Sequence, residues 1–339
     1  MLISIALLFT GCTHINYYFQ SASGHLSIMG QSRPVKDLLD AGKIDPTLRA
    51  KLLLSQRIRD FASQKLSLPD NDSFRSYADI GRPYVVWSVV ATPAYSLKPQ
   101  QWCFLVVGCL SYRGFFDQQK AIDFANRLER EGMDVAVSGV QAYSTLGWFD
   151  DPLLNTLIDD STSRLVEVIV HELAHQVIYF EGDTAINEAF ATAVGRYGVQ
   201  QWHAIQADQT AMKKYRQDLE RGAAFKKLLL SARSDLQHYY AGNDKSEKGK
   251  QEIFDRLQRD YLDLKKQWNN DARYDRWMSQ GLNNSHLALL ATYEHYVPAF
   301  LKMIETHQGN MTAFYDQMKT WQQLSSAQRK RKLDALMSM

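Results

Sequence analysis

The chain has 339 residues, of which 45% are hydrophobic and 22% charged, with 39 Lys and Arg against 37 Asp and Glu. That composition excludes an intrinsically disordered protein, and the length suffices for one large catalytic domain or two closely joined ones. A formal net charge of +2 gives no global reason to expect a nucleic-acid partner, and no recognisable nucleic-acid module is present.

Leu2 to Phe9 is an apolar run too short to span a bilayer, and it ends in Thr10-Gly11-Cys12. It suits the h-region of a signal peptide and resembles a bacterial lipobox, although Phe9 stands where Leu is usual and no basic segment precedes it. The expectation is a lipoprotein signal over residues 1–12 with Cys12 as the lipidated residue. An ordinary signal peptide or a buried N-terminal strand is the alternative. Thr13 after the cysteine would, by analogy, permit sorting to an outer membrane. The expected location is therefore the periplasmic side of the envelope, with the membrane as a partner through the lipid anchor.

Pro34 to Ala41 and Pro46 to Leu66 read as helices, the first closed by Gly42 and the second opened by Asp45 as N-cap and Pro46 as first helical residue. Pro69 to Ser73 is a polar break. From Tyr84 to Val107 the β-branched and aromatic residues predict strands interrupted by Pro93 and Pro99. Asp117 to Glu131 is an amphipathic helix closed by Gly132, and Val135 to Ala142 is another strand. Cys103 and Cys109 lie in an extended-looking run, where six residues at about 3.3 Å each exceed disulfide reach unless the chain turns near Gly108. Free thiols are the alternative. Asp150-Asp151 before Pro152 suits either contact with a substrate amine or a turn and helix start.

The next segment carries the chemistry. His171-Glu172-Leu173-Ala174-His175 sits in a mostly apolar run from Leu165 to Phe180. On a helix, positions i and i+4 share a face, so His171 and His175 can offer ring nitrogens to one ion at about 2.0–2.1 Å. Glu172, about 100° round the helix, stays available for a water. Charged groups in such an apolar setting are costly unless they bind a metal or are otherwise paired. Glu181-Gly182-Asp183-Thr184 reads as a short turn with Thr184 as N-cap of a second helix from Ala185 to Tyr197. An antiparallel return aims Glu188 at the two histidines, making it the expected third ligand. Glu181 is the competing candidate, but it follows His175 too closely to fold back easily. Three protein ligands leave a fourth position for water, so the spacing predicts one catalytic Zn2+ with Glu172 as general base, although manganese, cobalt or iron also fits such ligation.

Further along, Gln200 to Lys266 alternates charged and apolar residues at helical spacing and breaks at Ala241-Gly242-Asn243-Asp244, predicting a long helical hairpin that serves as scaffold or lid. Asn283 to Glu305 reads as one more helix, carrying Tyr293 and His295; His286 and His295 have no assigned role. Arg329-Lys330-Arg331-Lys332 reads as a solvated helix face.

With Asn187-Glu188-Ala189-Phe190-Ala191 following the first motif, the chain resembles the gluzincins, zinc peptidases that carry His-Glu-x-x-His on one helix and Asn-Glu on the next. Its wider wording is similar to a bacterial family of predicted zinc aminopeptidases, many of them predicted lipoproteins. The matching words are Tyr17 to Gln31, Gly108 to Gly114, Ala142 to Phe149, the two zinc motifs, and Asn283-Asn284 through Pro298-Ala299-Phe300. The resemblance implies an α+β, mainly helical fold with a gluzincin-like metallopeptidase core, a small mixed sheet and the helical hairpin. It would form a single unit over 13–339: a mixed part over 17–150, zinc-binding helices over 151–200 and a helical part over 201–339.

The implied activity is hydrolysis of peptide bonds in a peptide or protein substrate, as an aminopeptidase. Zinc peptidases hold extended substrates against an edge strand beside the metal, which makes Gly139 to Ser144 the candidate, with Tyr143 and Ser144 as substrate-binding residues. Gluzincins use a Tyr or His to stabilise the tetrahedral oxyanion, and Tyr293 is the expected donor because it falls inside the matching segment. Two departures matter. No Gly-x-Met-Glu-Asn segment for a substrate amine is present, and Thr192 stands where thermolysin-like sites carry Asp. An endopeptidase of envelope proteins therefore remains an alternative, as does a non-catalytic peptide-binding or scaffold lipoprotein with structural zinc.

Overall fold

The computed structural model of the chain describes residues 23–104, 108–142, 149–290 and 295–338. In chain order its first half contains β1 (Arg33–Pro34), α1 (Val35–Asp40), α2 (Pro46–Leu66), β2 (Ser76–Ala78), β3 (Val86–Pro93), β4 (Trp102–Phe104), β5 (Gly108–Leu110), β6 (Arg113–Phe115), α3 (Gln118–Arg130), β7 (Met133–Val140) and β8 (Leu153–Leu154). Helices then dominate: α4 (Asn155–Ile158), α5 (Thr162–Val177), α6 (Thr184–Ile205), α7 (Gln209–Ala241), α8 (Glu247–Gln267), α9 (Asp275–Met278), α10 (Asn284–Ala288), α11 (Val297–Thr306), α12 (Met311–Thr320) and α13 (Ser326–Met337).

Local chemistry sets many of these boundaries. The Asp45 carboxylate accepts from the backbone N–H groups of Thr47 at 2.8 Å and Leu48 at 3.1 Å, satisfying two donors that the first turn of α2 leaves open. Asp117 does the same for α3 through Lys120, and Gly132 follows that helix in the left-handed region at φ +82°.

The described residues form two compact units, each assembled from separate stretches of chain. One, the sheet unit, draws on Val86–Val140 and Arg216–Ala291 together with the stretch ending at His25. Its antiparallel sheet has the order β6-β3-β7, with Val86 opposite Val140 and Pro93 opposite Met133. α3 packs on this sheet through the buried Ala121, Phe124, Ala125 and Leu128. α7, from Arg216 onward, and α8 form the expected hairpin, broken at 242–246. Phe225, Leu229, Ala232, Leu236 and Tyr240 recur every three or four residues along α7 and meet Ile253, Phe254, Leu257 and Tyr261 of α8 in one apolar cluster.

In the same unit β4 and β5 pair antiparallel, and a disulfide joins Cys103 to the directly opposite Cys109. The distance that an extended run would put between them vanishes because the chain doubles back, setting residues six apart side by side.

The other, helical unit comprises Leu26–Val85, Gln141–Tyr215 and Thr292–Met339. α5 packs against α6, with α2 and α11 alongside. A small sheet has the order β1-β2-β8, antiparallel then parallel. Phe190 of α6 anchors the C-terminal helices, stacking on Phe314 with centroids 5.7 Å apart and meeting Phe300 edge-on at 5.8 Å.

Two expectations are corrected. Asn283 to Glu305 is not one helix: α10 ends at Ala288 and α11 begins afresh at Val297. Pro298 has no N–H and fits only the first turn of a helix, so it marks a start where helical periodicity alone suggested continuation. Nor is the basic run at 329–332 a uniformly solvated face, since Arg329 is buried while its three neighbours are exposed.

No helix among the described residues is long and apolar enough to cross a membrane. Cys12 and the expected signal segment lie outside the described residues, as do Tyr143, Ser144 and Tyr293.

Candidate metal centre

α5 carries a broad apolar face, with Leu165, Val166, Ile169, Val170, Leu173 and Ala174 all buried. The Ser161 hydroxyl caps it by accepting from the Arg164 N–H. One turn apart near its C-terminal end, His171 and His175 lie side by side with rings edge-on at 84° and centroids 4.7 Å apart. α6 returns alongside α5 and brings Glu188 to both.

The three donor groups converge closely. The Nε2 atoms of His171 and His175 are 3.1 Å apart, and the Glu188 carboxylate stands 3.4 Å from the first and 3.7 Å from the second. Three corners of a tetrahedron around zinc, with nitrogen and oxygen ligands at ordinary bond lengths, are separated by about 3.3–3.6 Å. The donor set and its spacing therefore suit a metal ion, and this is the one cluster of three or more such groups able to hold a metal among the described residues. His175 Nδ1 is buried without a hydrogen-bond partner among the described residues.

The electrostatics fit the same use. Burial pulls the pKa of His175 down to about 4, His171 adding to the fall and Glu188 opposing it. Burial also acts against the charged forms of His171 and Glu188. There the His171–Glu188 contact prevails, aided for His171 by the charges of Glu172, Glu188 and Glu167 and for Glu188 by both histidines, so His171 is raised and Glu188 lowered. A neutral His175 and an ionised Glu188 are states in which both groups offer lone pairs to a divalent cation.

Glu172 is half-buried, next to His171 on α5 but outside the three-donor cluster. Glu181 is exposed and also outside it. Asp151 is buried and Asp150 exposed, neither at the cluster. Gly139 lies on β7, an edge strand of the sheet unit. His286 caps α10, its Nδ1 accepting from the Asn283 N–H at 3.2 Å, while His295 is exposed beside Tyr296.

Several residues that the sequence left without a role hold the two helices of the donor cluster in place. Asn187 makes a reciprocal pair with Phe180, accepting from its N–H and donating to its carbonyl, both at 2.8 Å. That closes the turn between α5 and α6 immediately beside Glu188. α6 begins at Thr184, so its N-cap is Asp183 and not Thr184. The Asp183 carboxylate does not cap the helix; it accepts from Arg329 Nε at 3.2 Å and Nη2 at 3.1 Å. Arg329 also donates to the carbonyls of Trp321 and Leu324 and lies 4.6 Å from the Phe180 ring centroid. Asn187 belonged to the second motif, which was a usable signal; nothing in the sequence paired Asp183 with a residue 146 positions away.

No curated protein and no solved structure matches the chain. A family model described as Putative aminopeptidase matches residues 16–333, spanning every described element of both units except the last residues of α13. The chain belongs to the Putative aminopeptidase family.

Proposed function

We propose that the protein is a zinc-dependent aminopeptidase in which His171, His175 and Glu188 hold one Zn2+ and Glu172 is the general base. The convergence of two imidazole nitrogens and one carboxylate at 3.1–3.7 Å carries this reading. Zinc bound there would lower the pKa of a coordinated water to about 7 and polarise the scissile carbonyl. Glu172 accepts the water's proton and returns it to the leaving amine. His175, kept neutral by burial, and Glu188, kept ionised by its histidine neighbours, supply lone pairs without first losing protons. In this reading Tyr293 donates to the oxyanion, Tyr143 and Ser144 contact substrate, and lipidation of Cys12 holds the protein at the envelope. A gluzincin-like core is part of the same proposal.

The test compares metal content and hydrolysis of paired free-amine and N-acetylated peptides in wild type, Glu172→Gln and His175→Ala. Wild type retains one equivalent of zinc and cleaves the free-amine peptide. Glu172→Gln retains the metal and loses about 10²–10⁴-fold in rate. His175→Ala loses both. Full hydrolysis by metal-loaded Glu172→Gln would falsify the assignment of the base, and equal cleavage of the N-acetylated peptide would replace the exopeptidase reading with an endopeptidase.

A further inference from the structure

The Asn283-Asn284 pair, which has no part in the metal centre, organises a cavity in the sheet unit. Asn284 is fully buried, and its side chain and backbone N–H are engaged: the N–H donates to Asp134 Oδ2 at 3.0 Å, Nδ2 donates to the Ala94 carbonyl at 2.9 Å, and Oδ1 accepts from the Tyr240 hydroxyl at 2.7 Å. These bonds fix the loop after β3 against α7. The loop is also braced internally, with Ser96 N–H donating to the Pro93 carbonyl at 3.1 Å, Lys98 N–H to Ser96 Oγ at 3.1 Å and Gln100 N–H to the Ala91 carbonyl at 2.8 Å. Beside it lies a cavity of about 550 Å³, within the size range of small-molecule sites, with walls that include Tyr95, Leu97, Pro99 and Tyr240.

Its charge is one-sided. Lys98 and Arg233 are the only charged residues among those described that line it, and neither side chain has a hydrogen bond or ion pair among the described residues. Arg233 is half-buried, with its Nε shielded and unpartnered. Arg82, Arg113 and Arg196, whose Nε atoms are also shielded, make other polar contacts; the Arg233 side chain makes no hydrogen bond or ion pair among the described residues. Acids on the neighbouring elements are already engaged, Asp235 by Arg256 at 2.7 Å and Asp134 by Lys250 at 2.8 Å. A half-buried guanidinium carries a desolvation cost that no acceptor among the described residues offsets, and an anionic ligand offsets it with charge-assisted hydrogen bonds.

We infer that this cavity binds a monoanionic carboxylate bearing an apolar or aromatic group. The guanidinium fork can pair a carboxylate bidentately, with the Lys98 ammonium adding a second positive charge at the same cavity. The Tyr95 and Tyr240 rings, edge-on with centroids 5.9 Å apart, line the space with Leu97 and Pro99. Tyr240 gives its hydroxyl to Asn284, which leaves its ring for an apolar ligand body. Both the C-terminal residue of a peptide and a free aryl acid have this chemistry. The inference does not rest on the metal centre.

The experiment is calorimetric titration of the full-length chain with N-acetyl-phenylalanine, its amide, and a short peptide ending in phenylalanine, repeated on Arg233→Gln and Lys98→Gln. The acid binds wild type saturably, the amide does not, and each variant weakens binding about tenfold or more with an unchanged thermal midpoint. Tighter binding of the peptide than of the free acid identifies a peptide terminus as the ligand; equal binding identifies the small acid, and both support the site. Absence of saturable binding to wild type at tens of millimolar, binding of the amide as tight as the acid, or unchanged affinity in both variants overturns it. Because the deciding readout is heat of binding to N-acetyl-phenylalanine and its amide, neither of which has a peptide bond between two residues, failure here is distinguishable from failure of the proposed hydrolysis.

Discussion

Asn187 shows how one residue beside a candidate ligand can matter without being a donor itself. Its buried amide commits both ends to Phe180, so Asn187→Ala would leave an N–H and a C=O unsatisfied at about 1–3 kcal/mol each. We expect a lower thermal midpoint together with about tenfold weaker zinc retention, measured by chelator competition, because the turn that aims Glu188 loosens. A lower midpoint with unchanged zinc affinity would assign Asn187 to stability alone. Arg329→Met would remove the partner of a nearly fully buried Asp183 and destabilise by about 3–5 kcal/mol in chemical denaturation, since an uncompensated charge stays behind. At this scale the shared face of His171 and His175 was legible because helical spacing is written locally. Arg329 was read as surface because its partner lies far away in sequence and its three neighbours are solvated.

Among the elements, the contact between α5 and α6 decides the spacing of the candidate ligands. Gly195 and Gly198 of α6 allow that contact. A Cβ at Gly195 would lie 3.0 Å from the Glu167 carbonyl and 3.6 Å from His171 Cβ, and one at Gly198 would lie 3.0 Å from a Val170 methyl. A flexible side chain can give way to such crowding; the backbone carbonyl of Glu167 yields only if the helix moves. Gly195→Val is therefore expected to cost about 1–3 kcal/mol and to spread the donor triad, so that zinc affinity falls along with stability. Stability lost with zinc affinity intact would show that the triad tolerates the shift. Helix and strand positions were largely legible: α2 occupies 46–66 as its caps indicate, and α3, β7 and the α7–α8 hairpin form where composition places them. The break between α10 and α11 was missed because helical periodicity outweighed Pro298, and the disulfide was left open because a reversal between two strands leaves little trace in an apolar run.

Across the whole molecule, burial holds several tyrosines in their neutral form. Tyr77 is pushed up from 10.0 to about 12, and Tyr215, Tyr240 and Tyr315 are raised further, in every case chiefly by loss of water. Each keeps its proton in the folded chain at a pH where the unfolded chain has lost it. Their contribution is therefore complete below pH 10 and falls as pH rises towards the folded values, by about 1.4 kcal/mol per pH unit for each tyrosine. Urea denaturation at stepped alkaline pH should show an accelerating loss of stability above that point. A flat profile from neutral to strongly alkaline pH would mean that these hydroxyls reach solvent.

The sequence alone determined the chemistry on offer: a His-Glu-x-x-His pair, an Asn-Glu pair and the caps and periodicities that make each a helix, all set by interactions between residues a few positions apart. Only the tertiary structure decided that the Glu188 carboxylate meets both imidazoles, that Gly195 lets two helices approach closely, that Arg329 secures the turn between them, and that Lys98 and Arg233 share one cavity. Those outcomes depend on packing between distant segments, where apolar burial and the pairing of buried charge select one arrangement from many that local spacing permits.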